Sequence, residues 1–179
     1  VPRASGEERT ASSPRQSGAH KPSRWSGAQQ SWIDRMRSSK QTVAAVHCPR
    51  WLGVSSSTKN LFPNVYGVPE SPSEEPYQLE DGRLETDARV LLEAGVRHVV
   101  FSGGDHAHLR LMRMLRRLDP GVRADMLWHG NIVQWSDDYA WNNLTAWIDA
   151  AKGGEVHAIG TVKKGMERVL ASTGLGSRA

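Results

Sequence analysis

The chain has 179 residues, which is enough for one domain of ordinary size or for one domain with a tail. Hydrophobic residues make up 38%, below the roughly 45–50% of typical globular domains, so we expect part of the chain to be unpacked. No apolar run reaches the ~18 residues of a membrane span and no secretory core precedes the domain, so we expect neither feature. A single cysteine, Cys48, excludes an internal disulfide and fits the cytoplasmic location that we expect.

The net charge of +4 is concentrated at one end of the chain. Residues 1–40 hold eight basic and three acidic residues, a charge of +5, whereas residues 41–179 hold 15 basic and 16 acidic residues, a charge of −1. A nearly neutral domain offers no electrostatic footprint for a phosphate backbone, so no nucleic-acid partner is expected.

Residues 1–40 are rich in Ser, Gly, Ala, Gln and Arg, and apolar periodicity begins only at Trp32, Ile33 and Met36. This composition predicts a disordered basic tail, because it buries too little apolar surface to offset the entropy of ordering. An RNA-binding arm and an organelle transit peptide are alternatives to a nonfunctional extension translated from upstream of the true start. The chain begins with Val, which favours a fragment.

From residue 42 onward, strand patterns alternate with helix patterns. Short apolar runs predict strands at 42–47, 64–68, 97–102, 123–128 and 156–159. Apolar residues at helical spacing predict helices over 84–92, 106–118 and 166–173, and a further helix that begins after an N-cap at Ser136. Prolines and a glycine predict a surface loop at 69–82. The order predicts right-handed βαβ units, that is, a Rossmann-like α/β domain over 41–179 with a mostly parallel sheet and helices on both faces.

Ligands bind such sheets beyond the carboxyl ends of the strands, so the residues that follow each strand are the candidate site. After the first strand, residues 48–59 are interpreted as a hydroxyl-rich loop that leads into a helix running through Asn60 to Phe62. Gly53, Ser55, Ser56 and Thr58 are candidates to bind a polar or anionic ligand at the start of that helix. The segment is neither a Walker loop nor a GxGxxG loop, and a Ser-rich connector is the alternative.

Two glycines, Gly103 and Gly104, follow the strand at 97–102 and allow the backbone to approach a ligand closely. His106 and His108 come next, and their spacing of two residues suits no common zinc site. We therefore expect a tight turn with solvated histidines rather than a metal site.

His129 and Gly130 follow the strand at 123–128. A histidine at a strand tip is placed where an acid/base or ligand-orienting group lies, although a structural histidine is the alternative. Three tryptophans are candidates to stack on a sugar ring, with core packing as the alternative: Trp135, Trp141 and Trp147.

Two further sets of residues are interpreted as structural. The basic side of the helix at 106–118 is expected to be a solvated face, and Cys48 to be a buried thiol. That side carries Arg110, Arg113, Arg116 and Arg117.

Several segments together resemble bacterial glycosyltransferases of the GT-B type, in the retaining "group 1" class. They are RWLGVSSSTK at 50–59, VFSGG at 100–104, LWHG at 127–130, DYAWN at 138–142 and IGTVKKGM at 159–166. The similarity covers about residues 42–173 and only the N-terminal domain of such enzymes. It implies the acceptor-side domain of an enzyme that transfers a hexose from a nucleotide sugar to a glycan, lipid or small acceptor.

The resemblance also implies that a second Rossmann-like domain holds the nucleotide-sugar donor. The sequence ends at Ala179, where that domain would begin, so we expect the donor half to be missing and the isolated chain to be inactive. In this family no metal or other cofactor is needed in general, and peripheral association with a membrane is compatible with it. Gly53–Thr58 and Gly103-Gly104 would form the cleft floor, and His129 would lie near the transferred sugar. A non-catalytic, standalone Rossmann-like binding module is the alternative.

Overall fold

The computed structural model describes residues 24–68, 81–130 and 136–172. Within these ranges the chain forms the helices α1 (Gly27–Ser39), α2 (Leu52–Leu61), α3 (Asp81–Glu93), α4 (His106–Leu118), α5 (Asp138–Lys152) and α6 (Met166–Ser172). The strands are β1 (Val43–His47), β2 (Val65–Gly67), β3 (His98–Ser102), β4 (Arg123–Trp128) and β5 (Ala158–Thr161). None of the helices in the described ranges is long and apolar enough to cross a bilayer.

The five strands form one parallel sheet in the order β2-β1-β3-β4-β5. One row of paired residues crosses the whole sheet: Tyr66, Val46, Phe101, Met126 and Ile159. The chain moves outward from β1 to β2 and then returns across β1 to build β3, β4 and β5. The prediction of a parallel, Rossmann-like α/β fold is therefore confirmed, and its topological switch point lies between β1 and β3.

The core lies between the sheet and the row of helices α3, α4 and α5. Consecutive helices in this row pack against each other, and α1 packs against α3. Phe101 of β3 points into this layer, with its ring 5.3 Å from the ring of Trp147 of α5, and both side chains are fully buried. Because the connection from β1 to β2 runs in the opposite direction, the right-handed crossover rule assigns α2 to the other face.

Helix α1 corrects the prediction of a disordered tail. Trp32, Ile33 and Met36 are buried, and the Trp32 indole N–H donates a 2.9 Å hydrogen bond to a carbonyl of β2. Trp32 therefore contacts the edge strand β2, and α1 packs against α3, so the apolar area buried by these three side chains stabilises the helix despite the polar composition of the segment. The prediction of disorder over residues 1–40 is wrong for α1, and residues 1–23 lie outside the described residues.

Three predicted boundaries also shift. Asp137, not Ser136, caps α5, because its side chain accepts a 3.0 Å hydrogen bond from the Tyr139 backbone N–H. Strand β5 begins two residues later than predicted. Of the predicted loop at 69–82, the last two residues belong to α3, and the others lie outside the described residues.

Candidate functional site

A cavity of about 360 Å³ lies at the carboxyl ends of β1, β3 and β4. The loops after β1 and β3 meet there, at the topological switch point, which is where ligands bind in sheets of this topology. Its lining comes from four segments: Trp51, Leu52, Gly53 and Val54; Gly103 and Gly104; Trp128, His129 and Gly130; and Asp137, Tyr139, Ala140 and Asn143.

The segment after β1 is helical where a loop was predicted. Residues 52–59 belong to α2, so only its first turn, which includes Gly53, reaches the cavity. Ser55 and Thr58 are buried, whereas Ser56 is exposed, and none of the three lines the cavity. A helix turns by about 100° per residue, which separates these side chains onto different sides. The loop prediction is wrong here, and Gly53 alone of the four candidates lies on the cavity wall.

The two glycines after β3 line the cavity, and side chains from two other elements leave no room for a Cβ at either position. Gly103 has a φ of +68°, and a Cβ added there would lie 2.7 Å from Cγ1 of Val54. A Cβ on Gly104 would lie 2.7 Å from Cζ2 of Trp147. Only glycine fits this turn, which brings the backbone of the β3–α4 connection to the cavity wall.

His129 is held from behind by two buried hydroxyl groups. Its Nε2 lies 2.8 Å from Oγ of Ser102, which lies 2.7 Å from Oγ1 of Thr58. The Thr58 hydroxyl in turn lies 2.6 Å from the carbonyl oxygen of Val54. Ser102 and Thr58 are fully buried, whereas His129 is half-buried on the cavity wall.

The electrostatic surroundings keep the His129 ring neutral. Burial lowers its pKa from the usual 6.5, and the positive charge of Lys163 lowers it further. A neutral imidazole carries one N–H donor and one lone-pair acceptor, so at neutral pH the ring presents hydrogen-bonding groups rather than a charge.

Two further lining residues present polar atoms without a partner. The indole N–H of Trp128 and the side-chain Oδ1 of Asn143 are buried and have no hydrogen-bond partner among the described residues. A buried polar atom without a partner costs about 1–3 kcal/mol.

The aromatic side chains of the cavity differ from those predicted. Trp51, Trp128 and Tyr139 line it, whereas Trp147 is fully buried in the core. Trp141 is half-buried and is not part of the lining, and Trp135 lies outside the described residues.

Asp105 and His108 stiffen the start of α4 beside the cavity. The two side chains are buried, and His108 Nδ1 lies 2.7 Å from Oδ1 of Asp105. Burial alone would raise the pKa of Asp105, but hydrogen bonds and charge from His108 outweigh burial and lower it. The Tyr139 hydroxyl lies 3.4 Å from the other Asp105 oxygen. The expectation of a solvated histidine is therefore wrong for His108, which is part of a helix cap.

Charge and metal ligands are sparse around the cavity. Asp137 is the one charged side chain among the described lining residues, and none of these is Lys or Arg. Over the described ranges as a whole, no group of three or more potential metal ligands comes together.

Comparison with models of protein families, with curated proteins and with solved structures finds no match for this chain.

Proposed function

We propose that this chain is the acceptor-side domain of a hexosyltransferase and that its cavity binds a neutral sugar group. One observation carries this proposal: aromatic walls and neutral hydrogen-bonding groups surround a small cavity whose described lining contains no cation. Aromatic faces match the apolar faces of a pyranose ring, and the imidazole, indole and amide groups match its hydroxyls.

The size of the cavity favours a small ligand. At about 360 Å³ it lies near the lower end of the range of roughly 300–1,000 Å³ typical of ligand sites. A nucleotide sugar needs more room and carries a diphosphate, for which Arg and Lys are the usual partners. The cavity therefore suits the acceptor sugar better than the donor, in keeping with a donor held by a separate domain.

In this proposal His129 binds or orients the acceptor sugar. Its ring lies on the cavity wall, at the tip of β4, and its Nε2 is held by the hydroxyl of Ser102, which in turn contacts Thr58. The resemblance of residues 127–130 to the Leu-Trp-His-Gly segment of group 1 glycosyltransferases supports the same assignment.

A titration of the full chain with methyl α-hexopyranosides, followed by NMR, tests sugar binding. We expect saturable millimolar binding that His129→Ala weakens by at least tenfold, and weaker or absent binding of UDP-glucose and GDP-mannose. His157→Ala is the matched control, because this histidine is 62% exposed and precedes β5 at the opposite end of the sheet. No saturable sugar binding, or equal losses in both variants, contradicts the proposal.

A second candidate function is sugar binding without catalysis, by a standalone module with the same cavity. The reading frame beyond codon 179 distinguishes the two: a second series of βαβ patterns supports the transferase, and an immediate stop supports the module. Transfer of sugar by the isolated chain at micromolar donor concentration would contradict the division into acceptor and donor domains.

A further inference from the structure

The hydroxyl groups behind His129 determine which of its ring nitrogens carries the proton. The carbonyl oxygen of Val54 can only accept, and at 2.6 Å from Thr58 Oγ1 it requires the Thr58 proton. Thr58 then has no proton left for Ser102, so across their 2.7 Å contact Ser102 must be the donor. The opposite polarity would leave two oxygens 2.6 Å apart with no proton between them, which is repulsive.

The same assignment of hydrogen-bond protons extends to the imidazole of His129. Once the Ser102 proton is committed to Thr58, the Ser102 oxygen can only accept across its 2.8 Å contact with Nε2 of His129. Nε2 must therefore carry the proton of the neutral ring. The other nitrogen, Nδ1, keeps its lone pair, and the described residues offer it no hydrogen bond.

We propose that Thr58 and Ser102 are positioning residues that fix His129 as its Nε2–H tautomer, so that Nδ1 accepts a hydrogen bond from a hydroxyl of the bound ligand. The ligand part of this inference rests on the proposed function; the tautomer part does not. Neither hydroxyl residue lines the cavity, so we assign each of them a role in positioning the imidazole rather than in contacting the ligand.

This arrangement gives the cavity a chemical preference. An acceptor nitrogen selects a ligand that donates, such as an alcohol, and disfavours a carboxylate or a phosphate, which would place lone pair against lone pair. Among the described residues, the charged groups to consider are Lys163, whose charge opposes ring protonation, and Asp137, which lines the same cavity. The lowered pKa of His129 keeps the lone pair available at neutral pH.

The tautomer can be measured without any ligand. In ¹⁵N-labelled protein, two-bond nitrogen–proton correlations of the imidazole show which ring nitrogen is protonated, and the signals of His129 are those that disappear in His129→Asn. We expect the Nε2–H form in the wild type. Thr58→Val keeps the side-chain shape but frees the Ser102 proton for donation to Nε2, which should shift the ring toward Nδ1–H. Thr58→Ser retains the hydroxyl and is the matched control, with the wild-type tautomer.

A wild-type His129 protonated at Nδ1 overturns the inference, as does a Thr58→Val variant with an unchanged tautomer. If Thr58→Val fails to fold, the wild type and Thr58→Ser still decide the tautomer, and Ser102→Ala tests the contact directly.

The ligand part is tested with methyl α-glucopyranoside as the probe. We expect Thr58→Val to weaken its binding by about tenfold, the effect of losing one neutral hydrogen bond, and Thr58→Ser to bind as the wild type does. Equal affinity in the two variants overturns the role of Thr58 in ligand binding. A wild type that binds no sugar overturns the proposed function, while the tautomer measurement still decides whether Thr58 and Ser102 position the ring.

Discussion

The two ends of the sheet differ in how completely their polar groups are paired. At the amino ends of β3 and β4 the charged side chains are paired: Asp125 Oδ2 lies 2.7 Å from Nε2 of His98 and 3.1 Å from Nε of Arg123. Nearby, Asp119 accepts a 2.8 Å hydrogen bond from Arg97. These pairs tie the start of β3 to β4 and to the end of α4.

At the amino ends the other Asp125 oxygen, Oδ1, is buried without a hydrogen-bond partner, and at the carboxyl ends several more buried polar atoms lack a partner among the described residues. The Trp128 indole N–H and the Asn143 amide oxygen are the two examples on the cavity wall. Unsatisfied buried groups reduce stability, whereas paired charges at a rim cost little. The amino end therefore serves the fold, and the carboxyl end has the features of a ligand site.

The largest effect is expected at the glycine turn of the carboxyl end. Gly103→Ala introduces a Cβ 2.7 Å from Val54 at a φ of +68°, so strain and overpacking together should lower the free energy of unfolding by about 2–4 kcal/mol. Urea unfolding measures this loss. Gly82→Ala is the control: it lies in α3 with open space around its Cα, so we expect it to be neutral or slightly stabilising. Similar losses in both variants would show that the turn is not constrained.

The paired charges of the amino end should matter for stability but not for ligand binding. Asp125 is 15% exposed and accepts from two cationic or polar partners, so Asp125→Ala should cost about 1–3 kcal/mol. Asp149→Ala, at an exposed position of α5, should change stability by less than about 0.5 kcal/mol. Sugar affinity should be unchanged in both variants. A loss of affinity in Asp125→Ala alone would show that the two ends are coupled.

The sequence predicts the parallel sheet well because buried strands read as short apolar runs, such as those of β1 and β3. It misses α1, and it starts the helix after β1 at Asn60 rather than at Leu52. Residues 55–58 of α2 are Ser-Ser-Ser-Thr, which gives no apolar stripe at helical spacing. The buried side of this turn is formed by the polar residues Ser55 and Thr58, and Thr58 contacts Ser102. In α1, the polar composition of residues 1–40 conceals the three apolar residues that join the hydrophobic core.

The candidate site is only partly readable from the sequence. The rule that ligands bind at strand ends places His129, Gly103 and Gly104 correctly on the cavity wall, because it depends on topology alone. The contact between Thr58 and Ser102 joins residues 44 positions apart, and no local pattern signals it. One usable signal exists: Ser102 is the last residue of β3, and strand alternation separates its side chain from that of the core residue Phe101.

Acidification should lower the free energy of unfolding through three histidines at the carboxyl end of the sheet. The pKa values of His47, His106 and His129 are lowered, in each case chiefly by burial. The unfolded chain therefore binds more protons than the folded chain below pH 6.5, so stability is full above that pH and falls as the pH decreases. The slope is at most about 1.4 kcal/mol per pH unit for each histidine.

Urea unfolding between pH 7.5 and pH 5 measures this slope. His47→Gln should reduce it, because a buried imidazole is replaced by a group that does not titrate. Stability that is independent of pH in the wild type would contradict the lowered pKa values.

The smallest effects are expected from the arginines on the outer side of α4. Arg113 Nε lies 2.7 Å from Oε2 of Glu155, but the two side chains are 53% and 37% exposed, so Arg113→Ala should cost less than about 1 kcal/mol. Arg116 differs, since it donates to the backbone carbonyls of Gly154 at 3.1 Å and Glu155 at 2.6 Å. These bonds hold the connection between α5 and β5, so Arg116→Ala should cost more than Arg113→Ala.

Raising the salt concentration should remove the small effect of Arg113→Ala and leave most of the Arg116→Ala effect, because screening acts on exposed ion pairs more than on bonds to carbonyls. If Arg113→Ala and Arg116→Ala lower the free energy of unfolding equally at low and at high salt, the Arg116 bonds contribute no more than the exposed ion pair. The whole side of α4 would then be the solvated face that the sequence predicts.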